Sequence, residues 1–248
     1  PYPFRTRWGY TNAAFVVAGE IIPKASGLQW EDYLKEKIFT PLGMNSTLAL
    51  SKDFPNAANK CSAHTMAEGK LVKIPFCSID NLAAAGSIGS SVNDMSHWVM
   101  AQLNAGKYDG KQVIPQAAIS QTWFPHSILG NGGKQFNTGH FNLYGLGWFL
   151  EEYCGKKVVS HTGGVNGFVT SVTLIPEEKL GIIVFTNTDQ NNFYEALKWE
   201  IADAYLGKPY RNDSKVYLGF NNQQKQNDAK QDKKMTDSAA LHLTPALA

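Results

Sequence analysis

The chain of 248 residues carries 43% hydrophobic residues, 18% charged residues and a formal net charge of +2. That is enough apolar content for a substantial core, and the small, dispersed charge excess excludes nucleic acid as an expected partner. No apolar run approaches the about 20 residues that cross a bilayer, and three cysteines without Cys-x-x-Cys spacing, with six scattered histidines, argue against a metal site or any other cofactor.

The chain starts at Pro1, so any signal peptide would precede it. Residues 5–9 read as a loop. Residues 13–22 hold one charge, Glu20, among apolar residues on every side, which predicts a helix buried almost all round and halted before Pro23. Tyr10 and Asn12 stand at its mouth; Thr11 or Asn12 as a plain N-cap, with Tyr10 as a staple contact, explains the same residues. Trp30, Tyr33, Leu34 and Ile38 give a second helix with one apolar face, stopped at Thr40-Pro41-Leu42-Gly43-Met44. Residues 51–80 are mixed, with a β-like piece at 71–74 and no assigned role. Cys61 and Cys77 flank part of this stretch and could bridge in an oxidising compartment; otherwise all three thiols are free or buried.

Residues 83–91 form a small-residue loop that feeds a helix capped by Ser91 with Asp94, whose inward stripe is Val92, Met95, Val99 and Leu103. A short helix follows Pro115, and residues 130–139 form a glycine-rich polar loop. Residues 144–150 read as a strand, paired through a turn at Cys154-Gly155 with Val158, Val159 and Ser160. Further strands follow at 168–175 and 180–187, and the short connections make the sheet antiparallel. Phe193, Leu197, Ile201 and Tyr205 mark a last helix. Residues 221–238 are so polar that they should not order themselves, and residues 241–248 look like the start of another element. The organisation expected is one domain over residues 1–210 and a polar linker or tail over 211–248.

The stretch His161-Thr162-Gly163-Gly164 holds the most chemistry. A strand edge without side chains at Gly163 and Gly164 lets a reacting carbonyl approach the backbone and its N–H donors. Four features in order, Tyr10-Thr11-Asn12 before a helix, Pro41-Leu42-Gly43-Met44, Ala85-Gly86-Ser87-Ile88 before a capped helix and His161-Thr162-Gly163 on a strand, resemble those of the cephalosporinase-type serine β-lactamases. The D-Ala-D-Ala carboxypeptidases, D-aminopeptidases and serine esterases of the penicillin-recognising fold share them. The resemblance covers residues 8–207 and implies an α+β fold, an antiparallel sheet flanked by helices.

It also implies roles. Tyr10 would be the base that activates a serine, supported by the lysine of a Ser-x-x-Lys motif and by His161; Asn12 would hold the substrate amide or that lysine; Thr162 and Gly163 would line the substrate; and the Gly164 N–H would serve the oxyanion hole. No Ser-x-x-Lys and no Gly-x-Ser-x-Gly occurs in the 248 residues. In the resembling family the serine motif precedes the tyrosine, which places it upstream of Pro1 and makes this chain a fragment expected to be inactive alone. Histidine in place of lysine at 161 leans towards an esterase or D-amino-acid peptidase and away from an efficient β-lactamase, because imidazole is largely neutral at pH 7. The substrate would be a small molecule or peptide, namely an ester, β-lactam or D-amino-acid peptide. The family implies a periplasmic or secreted setting and leaves membrane association open. The alternative is a module of the same fold that binds peptidoglycan-like ligands without cleaving them.

Overall fold

The computed structural model describes residue 3 and residues 6–130 and 139–242. Arg5 of the first loop, most of the glycine-rich loop (131–138) and the end of the chain (243–248) lie outside the described residues. The chain divides into two compact units, Pro1–Gln190 and Asn191–Ala248.

In the first unit, α1 (Asn12–Ser26) is capped by Thr11, whose side chain accepts from the Ala13 N–H at 3.2 Å. It runs past the expected stop, because Pro23 removes one N–H from the ladder without ending it. The last turn is closed by Ser26 Oγ donating to the Ile22 carbonyl (2.7 Å) and the Gly27 N–H donating to the Pro23 carbonyl (2.9 Å). Burial all round is also not what the structure shows. Gly19, against the Ala84 methyl, is the buried residue of α1, while Val17 and Ile21 are 60% and 56% exposed. Apolar residues on every side do not by themselves decide which side is covered.

Helix α2 (Trp30–Leu34) continues as a π-helical turn through Lys35–Phe39. The Pro41 to Met44 turn that follows is part of a core in which Phe39, Leu42, Met44 and Ala101 meet, and His97 Nδ1 donates to the Leu42 carbonyl at 2.9 Å. The stretch without an assigned role contains a hairpin, β1 (Ala63–Ala67) and β2 (Lys70–Ile74), in register Ala63 to Ile74. It is tied down by the Asp80 carboxylate, which accepts from the Ser51 and Lys52 N–H groups at 2.6 and 3.1 Å.

The small-residue loop is partly helical: α3 (Ala83–Gly86) precedes α4 (Val92–Leu103). Ser87 is fully buried and donates to the Ala49 and Ala83 carbonyls, so its hydroxyl is spent on the turn. Ser91 caps α4 as expected, its Oγ accepting from the Asp94 N–H at 3.1 Å, and the buried Asp94 carboxylate accepts from Ser46 N–H and Thr47 Oγ1, both at 2.8 Å. A short hairpin, β3 (Lys107–Tyr108) and β4 (Lys111–Gln112), leads to α5 (Gln116–Thr122).

The sheet then forms as a meander of β5 (Ser127–Gly130), β6 (Asn142–Tyr144), β7 (Phe149–Tyr153), β8 (Lys156–Val165), β9 (Phe168–Ile175) and β10 (Leu180–Thr186). Each strand pairs antiparallel with its sequence neighbour, so the spatial order is β10-β9-β8-β7-β6-β5. The fold is α+β with antiparallel sheets. One expected strand is two: residues 145–148 turn the chain between β6 and β7, which puts Tyr144 directly opposite Phe149. Val159, Leu174, Leu150 and Trp148 meet Val99 of α4 in the main core. Helix α4 approaches the sheet closely at Gly181, where an added Cβ would lie 2.1 Å from Val99 Cγ1.

The second unit holds α6 (Phe193–Tyr205) and α7 (Asp213–His242). The polar stretch expected to stay unordered is helical. Gln, Lys and Ala have good helix propensity, and the first turns of α7 are fastened by Arg211, which reaches Asp213 at 2.5 Å and Asp203 of α6 at 3.3 Å. The Ser214 N–H also donates to Glu200 at 3.2 Å. All three cysteines are free.

Candidate active site

Strand β8 pairs with β7 only up to Ser160, opposite Phe149, whereas its pairing with β9 continues to Val165, opposite Phe168. From His161 onward one edge of β8 therefore has no strand beside it among the described residues. Thr162, Gly163 and Gly164 lie on this open stretch and are exposed, and a Cβ added at Gly164 would meet nothing within 4 Å. The edge is held in place by the β8–β9 turn, where the Gly167 N–H donates to Asp189 Oδ2 at 2.9 Å and the His64 N–H reaches the Gly167 carbonyl at 3.4 Å.

Tyr10 comes to this edge from the other end of the sequence. Its ring lies 6.0 Å from the His161 ring, centroid to centroid, and it is 45% exposed. The two sequence-predicted groups, 151 residues apart, thus share one site. Thr11 between Tyr10 and Asn12 is the helix cap, and Asn12, the first residue of α1, is exposed.

Around them sits an aromatic cluster. Trp8 lies 6.3 Å from Tyr10, 5.7 Å from Tyr144 and 6.2 Å from Phe149; Tyr144 lies 6.4 Å from Tyr10 and 4.9 Å from Phe149. Phe149 is 5.2 Å from the His161 ring. These rings take water away from the Tyr144 phenol and the His161 imidazole.

His161 makes two hydrogen bonds. Nδ1 lies 2.6 Å from the Thr162 carbonyl and Nε2 lies 3.1 Å from the Tyr144 hydroxyl. A carbonyl only accepts, so Nδ1 carries a proton. Burial pushes the His161 pKa down, and the Thr162 carbonyl opposes this in part. Tyr144 is buried, and its phenol is pushed up to about 12, first by desolvation and then by the nearby Tyr10 oxygen. Burial therefore keeps the Tyr144 phenol protonated, while the Tyr10 ring is the more exposed of the two.

Tyr144 is the site residue that the sequence reading missed. Its neighbours Gly145, Leu146, Gly147 and Trp148 were read as strand; only a turn there lines up Tyr144, Phe149 and Ser160 across three strands and brings the phenol to the next residue, His161. Among the described residues no group of three or more His, Cys, Asp or Glu side chains is placed to hold a metal ion. A cavity of about 280 Å³ lined by Glu20, Trp30, Lys52 and Asp80 includes none of the motif residues, so its volume carries no weight against the chemistry at β8.

Several known proteins are similar to this chain. Unguisins hydrolase ungD' of Aspergillus campestris (strain IBT 28561) is 28% identical over 214 residues, covering 82% of this chain and 38% of that protein. The D-aminopeptidase of Brucella canis (strain ATCC 23365 / NCTC 10854 / RM-666) is 26% identical over 208 residues, covering 82% and 36%. Among solved structures, the octameric penicillin-binding protein homologue from Pyrococcus abyssi superimposes with a TM-score of 0.67 at 26% identity, over 82% of this chain and 43% of its own. The chain thus spans less than half the length of these relatives. A family model described as Beta-lactamase matches residues 1–206, and the chain therefore belongs to the beta-lactamase family of serine hydrolases.

Proposed function

We propose that these residues form the tyrosine and histidine-threonine-glycine walls of an acyl-transfer site, in a serine hydrolase that cleaves ester or D-amino-acid amide bonds through an acyl-serine. The observation that carries this reading is the meeting of Tyr10 with His161 beside an unpaired strand edge. Because the Thr162 carbonyl faces the imidazole on the open side, the alternation of strand amides turns the Gly164 N–H, two residues on, to that same side. A donor there suits a developing oxyanion. An extended substrate can lie along the edge, and the absent side chains at Gly163 and Gly164 give it room.

Two features favour esters and D-amino-acid amides over β-lactams. A neutral imidazole at 161 lacks the fixed charge with which lysine grips a carboxylate. D-aminopeptidase and unguisins hydrolase are also among the relatives, which supports a peptide or amide substrate.

The 248 residues contain no Ser-x-x-Lys, and this supports a second statement: by themselves they bind and do not turn over. Nitrocefin and p-nitrophenyl acetate should both remain unhydrolysed by this chain, and a fluorophosphonate probe should label none of its serines. Serine-dependent turnover would refute that statement. In a polypeptide that joins these residues to a Ser-x-x-Lys helix, Tyr10→Phe should lower kcat on p-nitrophenyl acetate by about 10²–10⁴-fold, the usual worth of a general base. An unchanged kcat there would sink the assignment of Tyr10.

A further inference from the structure

Both ring nitrogens of His161 are engaged, and neither partner is Tyr10. Nδ1 donates to the Thr162 carbonyl at 2.6 Å; the neutral ring then has a lone pair at Nε2, 3.1 Å from the Tyr144 oxygen, so the phenol must be the donor. The phenol that donates is buried on β6, braced edge-on by Phe149 at 4.9 Å and flanked by the tilted Trp8 ring at 5.7 Å. It has little freedom to leave. The ring neighbours of the imidazole are Tyr144 from β6, Phe149 from β7 and Tyr10 from the segment before α1. Of these the two phenols titrate, and Tyr144 is held protonated.

We propose that Tyr144 is the positioning residue of this site: by donating to Nε2 it locks His161 as the neutral, Nδ1-protonated imidazole and fixes the ring that stands beside Tyr10. The inference rests on the acyl-transfer reading above and extends it. A histidine held in this way presents neither a positive charge nor a free N–H to the cleft. It therefore serves as a shaped, uncharged wall. Selection at this edge then goes against ligands that end in a carboxylate and in favour of those that end in an ester or amide, and Tyr144 sets that preference through the ring it holds.

The test is nuclear magnetic resonance on the full 248-residue chain, with long-range ¹H–¹⁵N correlation reading the tautomer of His161 between about pH 5 and pH 8. The parent should show a neutral ring protonated at Nδ1. A hydrogen bond to the neutral ring lowers its proton affinity, so Tyr144→Phe should raise it by about threefold to tenfold and move the titration midpoint of His161 up by about half a pH unit to one unit. A tyrosine that only filled space would leave that midpoint where it was, and in a folded variant this result would overturn the proposal. If Tyr144→Phe does not fold, the parent decides alone: a ring protonated at Nε2 overturns the proposal, and one protonated at Nδ1 with Nε2 coupled to the Tyr144 hydroxyl proton supports it. None of these readings needs turnover. If the polypeptide joined to a Ser-x-x-Lys helix shows no turnover while this chain shows the expected tautomer, that result counts against the hydrolase reading and leaves Tyr144 in its role.

Discussion

Replacing Gly167 by Ala tests whether the β8–β9 turn is what holds the open edge in place. Gly167 has φ +86°, and a Cβ there would lie 2.4 Å from Ala63 Cβ and 2.9 Å from both Ala63 Cα and His64 N. The left-handed backbone costs an alanine about 1–2 kcal/mol, and forcing a methyl against a neighbouring strand costs about 1–3 kcal/mol. Two of the three close atoms are backbone, so side-chain rotation cannot relieve them. The expected loss is about 2–5 kcal/mol, which for a chain of this size is about 5–15 °C in Tm. Urea unfolding followed by tryptophan fluorescence measures it. The variant Ala63→Gly removes the nearest contact and leaves the other two, so the double variant should recover about 1 kcal/mol relative to the sum of the single changes. Amide hydrogen exchange should quicken first in β1 and in the β8–β9 turn, because the Gly167 N–H bond to Asp189 and the His64 bond to Gly167 share this joint. Stability of Gly167→Ala within about 0.5 kcal/mol of the parent, or strict additivity with Ala63→Gly, would show that the turn yields freely and is not an anchor.

Two more outcomes follow from charge. His161 has a folded-state pKa below its ordinary value of 6.5, so the folded state binds fewer protons than the unfolded one. Its contribution to stability is complete above about pH 6.5 and is lost as the pH falls from there towards the folded value; His161→Phe should flatten the dependence of the urea midpoint between about pH 7.5 and pH 5.5, and an unchanged slope would refute the burial argument. In the second unit, Arg211→Ala takes the bridging cation from two buried carboxylates, Asp203 and Asp213, at a cost of about 2–4 kcal/mol. Circular dichroism should then show α7 losing helix on mild heating before the β-sheet signal changes.

The legible parts of the fold were those whose cause is local. Ser91 and Asp94 announce the start of α4 because the cap bond spans three residues of one chain. The hairpins β7–β8 and β9–β10 follow from β-branched and apolar runs separated by short turns. Less legible were features decided by neighbours. The run through Val16, Val17 and Ile21 looked buried on every side, yet Val17 and Ile21 are exposed while Gly19 is covered against Ala84 and Trp30. Pro23 looked like a stop, yet the turn beyond it is closed by Ser26 and Gly27. The polar stretch in α7 lacks the apolar content that signals order, and its first turns are held by ion pairs whose partner Asp203 belongs to another helix.

For the site, the order of the motifs and the family they resemble were enough to single out Tyr10, Asn12, His161, Thr162, Gly163 and Gly164, because a phenol, an amide, an imidazole and a glycine edge are chemical identities that the chain carries wherever it folds. Partnership is different. That the imidazole answers to Tyr144 and not to Tyr10 depends on a turn at residues 145–148 and on the register of three strands. A hydrogen bond is a matter of a few tenths of an ångström between groups that local sequence does not bring together, so tertiary packing alone settled which groups face the two imidazole nitrogens.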